Sequence, residues 1–578
     1  MKDADATEET LSPTQQKLFA ALQARLSREP DSVRAGLENG ADGEIEEQLI
    51  AIWRRVLGRN DIGRHDNYFQ LGGDSVKSIQ IVSQAQRLGL TLTTRKLLES
   101  PTIALLARGL HPGGPGKPTG ADPGLPGLSG RFALTPLQAG LLYETLASPE
   151  RHLYQSCIVL DARGALDMGL VRLAWNKVLL SHPALRTRFV WSEPGEPQQI
   201  VAAQIPCQVL EGERADLPAE EACDRLKRQM AAEVGRLDQA PLCRIGVIHL
   251  TSARHRLILV HHHLILDGWS QQLVLSDLIS TYFNYLDGHE IETLPSPPFQ
   301  AFVERVCLPR SVATRFWAHY LRDYRPANVL TRPGEERTTR VTRIDLDEAT
   351  AAGLARLALD AGVTLSTLFQ GLWALTVAEA SGSTDIVYGL VVSGRDTSFA
   401  GAEDLTRVVG MCVNTVPVRV SVPAIGGLEE WLQGLRTNIL DVMPHQYTPL
   451  PELKHQIVGA ATPWLFETLV VIENLPGVPF HDDRLSLTLH SYEIEEGWPI
   501  VIVLHTGDAP AIELRIQPGR TRAGLPQWLE HYLRVALRAL STTPPDSLMP
   551  ALRAALAAEM HAASFPSGEL SGSRRETA

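Results

Sequence analysis

The sequence predicts two folded units of different class: a small all-helical domain near the N-terminus and a larger α/β domain built in two halves. Three observations predict it. The 578 residues exceed what one hydrophobic core ordinarily organises. A Pro/Gly-rich stretch without periodicity, His111–Gly130, interrupts the chain early and reads as an interdomain linker. Beyond it, amphipathic helical runs alternate with short apolar runs of strand length, the signature of an α/β unit.

Composition narrows the function classes. An apolar fraction of 44% and a charged fraction of 21% are those of a soluble globular protein. The formal net charge of −12 argues against a nucleic-acid surface. Cys157, Cys207, Cys223, Cys243, Cys307 and Cys412 form no CxxC pair, so neither disulfides nor zinc are expected and a reducing cytoplasm fits. The first residues hold no apolar segment of signal-peptide type. No uninterrupted apolar stretch approaches the ~18 residues of a membrane span. A monomer is expected, with neither nucleic acid nor membrane as partner.

Residues 1–42 read as a tail or cloning remnant, with one amphipathic piece at Gln15–Leu26. The small domain is expected over 43–111. Glu44–Leu57 places Ile45, Leu49, Ile52, Trp53 and Val56 at helical spacing. Leu71-Gly72-Gly73-Asp74-Ser75 opens a second helical run, Val76–Leu88; a third helix follows Thr93 and a short one follows Pro101-Thr102. Ser75 thus stands at a helix start. Local chemistry leaves two readings open: an N-cap serine, or a hydroxyl placed where a helix N-terminus favours a phosphate.

After the linker at 112–130, the first half of the large domain is expected over 131–305. Leu134–Leu142 reads as a capped helix, Ala174–Leu180 as another, and Ser181–Phe189 leads into a strand. Glu220–Leu237 is helical, Cys243–Leu250 and Arg256–Leu266 are strands, and Gln271–Tyr282 is a helix. The second half, 306–545, reads as strand Arg340–Leu346, helices Ala349–Asp360 and Leu365–Ala380, and strand Ile386–Val392 before Ser393-Gly394-Arg395. Strands at Val409–Arg419 and Phe466–Asn474 follow. Residues 546–578 are expected to be a C-terminal linker without regular packing.

The chemistry concentrates in Val260–Ser270, Val-His-His-His-Leu-Ile-Leu-Asp-Gly-Trp-Ser. On a strand His261 and His263 point one way and His262 the other. A neutral imidazole can take a proton at working pH. Asp267, past a tight turn, can orient such a ring or pair with a distant arginine, and Gly268 lets its N–H approach a substrate. Satisfied core histidines are the plain alternative. No metal is expected, because a strand brings only alternate histidines together and no further ligand cluster has the right spacing.

Two stretches carry a resemblance. Asp66-Asn67-Tyr68-Phe69-Gln70-Leu71-Gly72-Gly73-Asp74-Ser75 resembles the attachment motif of peptidyl carrier proteins of nonribosomal peptide synthetases, with similarity from Gly43 to Leu110. The resemblance implies a four-helix carrier whose Ser75, beside Gly73 and Asp74, bears 4′-phosphopantetheine installed by a phosphopantetheinyl transferase. Asp74, where many carriers have His, is commoner in carriers serving an epimerization domain and raises an epimerase alternative.

His262–Gly268 resembles the His-His-x-x-x-Asp-Gly signature of synthetase condensation domains. Thr135–Leu142, Ser181–Phe189, Val409–Arg419 and Phe466–Asn474 resemble that family's other core motifs, in order, between about Arg131 and Thr542. What this implies is two chloramphenicol-acetyltransferase-like lobes in a V, with a tunnel between them and the histidines at its centre. The implied reaction is attack of an acceptor aminoacyl amine on a donor thioester carried on Ser75. The acceptor sits on a downstream carrier, and adenylation domains supply the amino acids for an antibiotic or siderophore.

In this reading His263 is the central residue, as general base or positioning group. His262 is structural, Asp267 pairs with Arg186, and the Gly268 N–H can serve the oxyanion; Ser393 and Asn414 are placed along the tunnel. The order Asp267-Gly268-Trp269-Ser270 is the condensation form, whereas epimerization domains usually continue Asp-Gly-x-Ser-Trp. Leu134–Leu142 and Val413–Arg419 also resemble condensation domains whose donor ends in an L-residue or glycine. An idle docking platform is the alternative from another class, and the intact histidine pattern argues against it. His445-Gln446-Tyr447-Thr448-Pro449-Leu450 departs from the usual His-Gln-Asp-x-Pro-Phe.

Overall fold

The structure, a computed structural model, describes residues 40–71, 73, 75–108, 110, 130–191, 196–212, 218–289, 296–306, 311–326, 329–332, 334, 338–395, 405–450, 453–454, 465–473, 480–507 and 509–562. The amphipathic piece at 15–26, the body of the linker, Gly72, Asp74, Cys307 and Asn474 lie outside the described residues.

Among the described residues the small domain holds four helices: α1 (Gly40–Leu57), α2 (Ser75–Arg87), α3 (Thr94–Glu99) and α4 (Ile103–Ala107). The first begins three residues before the expected boundary. Its apolar face buries Ile45, Leu49, Ile52 and Trp53, and the Trp53 ring meets Tyr68 edge-on at 5.4 Å. Thr93 and Thr102 cap α3 and α4 with their hydroxyls.

In the first lobe β1 (Arg131–Ala133) is followed by α5 (Pro136–Ala147), whose start is fixed by a capping box between Thr135 and Gln138. Next come β2 (Gln155–Gly164), α6 (Met168–Ser181), β3 (Thr187–Val190), β4 (Gln198–Val201) and β5 (Val209–Gly212). Then follow α7 (Ala219–Val234), β6 (Cys243–Thr251), β7 (Arg254–His262), α8 (Gly268–Leu286) and α9 (Phe299–Val306). The second lobe runs α10 (Ser311–Tyr320), β8 (Arg340–Asp345), α11 (Glu348–Asp360), α12 (Leu365–Ser381), β9 (Asp385–Val392), β10 (Asn414–Ser421) and α13 (Leu428–Val442). The chain continues with β11 (Thr468–Glu473), β12 (Phe480–His481), β13 (Leu485–Ile494), β14 (Ile500–His505), β15 (Ala511–Ile516), α14 (Leu525–Ser541) and α15 (Met549–Ala562).

Two six-stranded sheets organise the lobes, in the orders β12-β13-β2-β7-β6-β5 and β10-β9-β11-β14-β15-β8. Strand β7 is central in the first. Its Ile258 and Val260 pack with Leu226, Met230 and Val234 of α7, while Leu257 and Leu259 face the other way, onto the core shared with α8. The alternation continues into the histidines, as the spacing predicts.

Three expectations need correction. Strand β13 lies beyond the expected lobe boundary yet pairs antiparallel with β2, so the chain returns to the first lobe before β14 takes it back to the second. Strand β7 stops at His262 instead of running to Leu266, because Leu264–Leu266 are needed to fill the turn and are all buried. The expected linker at 546–578 begins with α15, whose Met549, Leu552 and Leu556 are buried in the second lobe's core.

Candidate active site

The three histidines have different fates. His261 and His262 have no accessible surface, whereas His263 retains some. The His263 backbone N–H donates to Tyr154 O at 2.8 Å, extending the β2–β7 ladder by one bond. Its Nδ1 lies 2.8 Å from the Leu266 carbonyl. A carbonyl only accepts, so that contact assigns the proton to Nδ1 and leaves Nε2 as the acceptor.

Burial lowers the His263 pKa, with the Leu266 carbonyl and Asp267 working upward and Arg515 downward. The ring is therefore neutral near pH 7. His261 packs edge-on to His263 at 5.4 Å and meets Gln271 Oε1 at 2.8 Å; burial and the neighbouring ring push it down to about 4. His262 accepts the Leu264 N–H at 3.1 Å, and burial pushes it to about 3. Both are held as neutral packing groups on either face of the strand.

Asp267 caps α8, its Oδ1 taking the Ser270 N–H at 2.8 Å. Its partner is not Arg186. Arg395 reaches it through two bonds of 2.8 and 3.1 Å, both side chains being at most 1% exposed. Arg186 is spent on the carbonyls of Leu179, Leu180, Ala202 and Ala203, tying the end of α6 to the residues that follow β4. For Asp267 burial is the largest influence and works upward; the Arg395 charge and the N–H groups of Ser270 and Cys412 outweigh it and hold the carboxylate below its ordinary range.

This pair joins the lobes. Arg395 follows β9 through Gly394, whose φ of +67° and close approach to the Cys412 carbonyl admit only glycine. The expected strand at 409–419 begins only at Asn414. The segment before it runs across the site, with Cys412 N–H on Asp267 Oδ2 at 2.9 Å and Gly410 exchanging two bonds with Ser270 Oγ. Arg395 also bonds Ser270 Oγ at 2.8 Å and stands over the Trp269 ring at 5.5 Å.

The remaining expected residues take supporting places. Ser393 turns Arg395 back through its hydroxyl and carbonyl. Asn414 donates to the Gln446 and Thr448 carbonyls, tying β10 to the 445–450 loop. Gly268 is the first residue of α8, so its N–H has no partner within the helix. Ser75 opens α2, and the chain just before it folds back: Gly73 N–H bonds Tyr68 O at 2.9 Å, and a Cβ at Gly73 would overlap the Tyr68 ring. A serine at a helix start, behind a glycine held against the Tyr68 ring, fits attachment of a phosphate arm.

Sequence reasoning missed Arg395, Ser270 and Tyr154. Arg395 carried a signal, standing one residue beyond a glycine at the end of a predicted strand.

Residues 129–496 match the Condensation domain family, and residues 47–110 match the Phosphopantetheine attachment site family. A linear gramicidin synthase of Brevibacillus parabrevis is 30% identical over 442 residues, covering 73% of this chain and 6% of that protein. Chondramide synthase cmdD of Chondromyces crocatus is 31% identical over 365 residues, covering 62% of this chain and 9% of that protein. The chain thus spans under a tenth of either relative. Among solved structures, the first condensation domain of the calcium-dependent antibiotic synthetase superposes with a TM-score of 0.60 at 18% identity, over 73% of this chain and 98% of that one. The starter condensation domain of rhizomide synthetase superposes with a TM-score of 0.61 at 17% identity, over 73% of this chain and 97% of that one.

Proposed function

The chain belongs to the condensation-domain family, with a phosphopantetheine attachment domain ahead of it, and from that premise we propose that it forms an amide between a donor acyl group delivered from Ser75 and an acceptor aminoacyl amine. The observation that carries the reading is His263: neutral, partly accessible, and with Nε2 kept free as an acceptor by the Leu266 bond to Nδ1.

The arm on Ser75 supplies a thiol that holds the donor as a thioester. His263 Nε2 takes a proton from the amine as its nitrogen bonds the acyl carbon and the carbon–sulfur bond breaks. The imidazolium then returns that proton to the departing sulfur, so the ring leaves the cycle neutral. The Gly268 N–H is the donor for charge developing on the carbonyl oxygen. Asp267 and Arg395 move no proton; they fix the turn that carries His263 and Gly268.

Helix α2 packs against the 3₁₀ turn Leu405–Arg407. That turn accepts the Trp269 indole N–H through Thr406 O at 3.0 Å, and leads to Val408, whose carbonyl bonds Arg395. Leu440 of α13 joins the carrier's core, and Arg95 pairs with Asp441 at 3.0 Å. This seating supports Ser75 as the donor to its own condensation domain. The Trp269-Ser270 order supports condensation over epimerization, and the resemblance of Leu134–Leu142 and Val413–Arg419 supports a donor ending in an L-residue or glycine. A downstream carrier brings the acceptor, adenylation domains load both, and a phosphopantetheinyl transferase primes Ser75.

The test loads Ser75 with an aminoacyl-pantetheine, adds a separately loaded acceptor carrier in D₂O, and follows both by intact mass. The acceptor gains the donor residue and the donor incorporates no α-deuterium. Exchange without transfer would replace this reading by epimerization.

A further inference from the structure

We propose that Tyr154 is a positioning residue for His263, locked by Glu144 and by the segment that joins the lobes; this rests on His263 being the reacting base. Tyr154 stands one residue before β2 with φ of +60°, and His152 beside it has φ of +49°. Two left-handed non-glycine residues so close together are costly unless the surroundings impose them. The conformation turns the Tyr154 carbonyl onto the His263 N–H at 2.8 Å, the last bond before the catalytic turn.

What imposes it is the crossing segment 495–499 between β13 of one sheet and β14 of the other. Tyr154 N–H donates to Glu495 O at 2.8 Å, and Arg151 pairs with Glu495 at 2.8 Å. The buried Tyr154 hydroxyl bonds Glu144 of α5. Gly497 lies so close that a Cβ there would overlap both that hydroxyl and the carboxylate. On the other side the segment is held by the second lobe: Gln517 to Glu496 O at 2.9 Å, Arg520 to Gly497 O at 2.7 Å, and Arg515 to Glu496 at 3.0 Å.

One residue therefore connects the lobe crossing to the main chain of His263. With the hydroxyl locked, Tyr154 stays left-handed and its carbonyl fixes where the imidazole stands. With the lock removed, the strained turn relaxes and Nε2 leaves its line to the amine. A displacement of ångström size lowers rate while leaving substrate affinity intact.

Tyr154→Phe, Glu144→Ala and Glu144→Gln are compared with wild type and His263→Ala in the full chain, primed at Ser75 and mixed with a loaded acceptor carrier. Tyr154→Phe and Glu144→Ala are expected to lower kcat about tenfold or more with KM for the acceptor carrier unchanged. Glu144→Gln keeps an oxygen acceptor and recovers most of the rate. ¹³C-labelled histidine spectra give a readout independent of turnover: the His263 Cε1 shift moves in Tyr154→Phe and returns toward wild type in Glu144→Gln. Should Tyr154→Phe unfold, the two Glu144 variants carry the comparison. Wild-type rate in Tyr154→Phe with an unmoved His263 resonance, equal loss in both Glu144 variants, or an effect confined to KM would overturn the proposal. Absence of transfer by wild type would instead overturn the reading it rests on.

Discussion

Arg395 and Asp267 illustrate how a buried charge pair acts through what its loss leaves behind. Each carries a full charge without solvent, tolerable because the guanidinium meets both carboxylate oxygens, Ser270 Oγ and two backbone carbonyls. Removing one partner strands the other. Arg395→Ala is expected to cost about 3–5 kcal/mol, read as a lowered urea midpoint by tryptophan fluorescence. A cost below about 1 kcal/mol would contradict the pairing described. That Asp267 seeks an arginine was legible in the sequence; which arginine was not. Arg186 and Arg395 are both arginines near strand ends, and only the tertiary path of 405–412 decides between them. The division among the histidines was legible, because strand alternation needs only a count from Ile258.

At the scale of elements, β7 ends in imidazoles that folding must keep neutral. His261 and His262 are pushed to about 4 and about 3 from an ordinary 6.5, and His263 is also lowered. The folded state therefore binds fewer protons than the unfolded one as pH falls below about 6.5. The stability this contributes is complete above that pH and is lost as pH drops through the depressed values. Glu473 and Glu496, raised by burial, act in the opposite sense, so a difference between proteins isolates the histidine. The melting curves of wild type and His262→Leu should converge as pH falls from 6.5 to 5, by up to about 1.4 kcal/mol per pH unit. Parallel curves would contradict neutral burial of His262. The elements expected from the sequence lie close to those found, because amphipathic spacing and caps such as Thr135 are local, whereas β2, β13, β14, β15, α13 and α14 were not expected. Helix α15 was missed because its alanines obscure the apolar face formed by Met549, Leu552 and Leu556.

For the whole molecule, two of the connections between the lobes among the described residues are ones that no local pattern announces. One is the Asp267–Arg395 pair; the other is the loan of β13 to the first lobe's sheet, which sends the chain across twice and places Glu495–Gly497 against Tyr154. Strand β13 was not among the strands expected from the sequence, and nothing local to it declares its partner. The carrier's seat on Leu440 and Asp441 is likewise a meeting of surfaces far apart in sequence. Together these arrangements bring the small domain against the segment that leads into the site. They leave His263 with one free nitrogen at the point where the lobes join. The most direct test of that account is single-turnover transfer from primed, loaded Ser75 to a loaded acceptor carrier, followed by intact mass for wild type and His263→Ala. The expected result is a rate about 10²–10⁴-fold lower in the variant with equal priming and loading; transfer by His263→Ala within about threefold of wild type, well short of that loss, would contradict it.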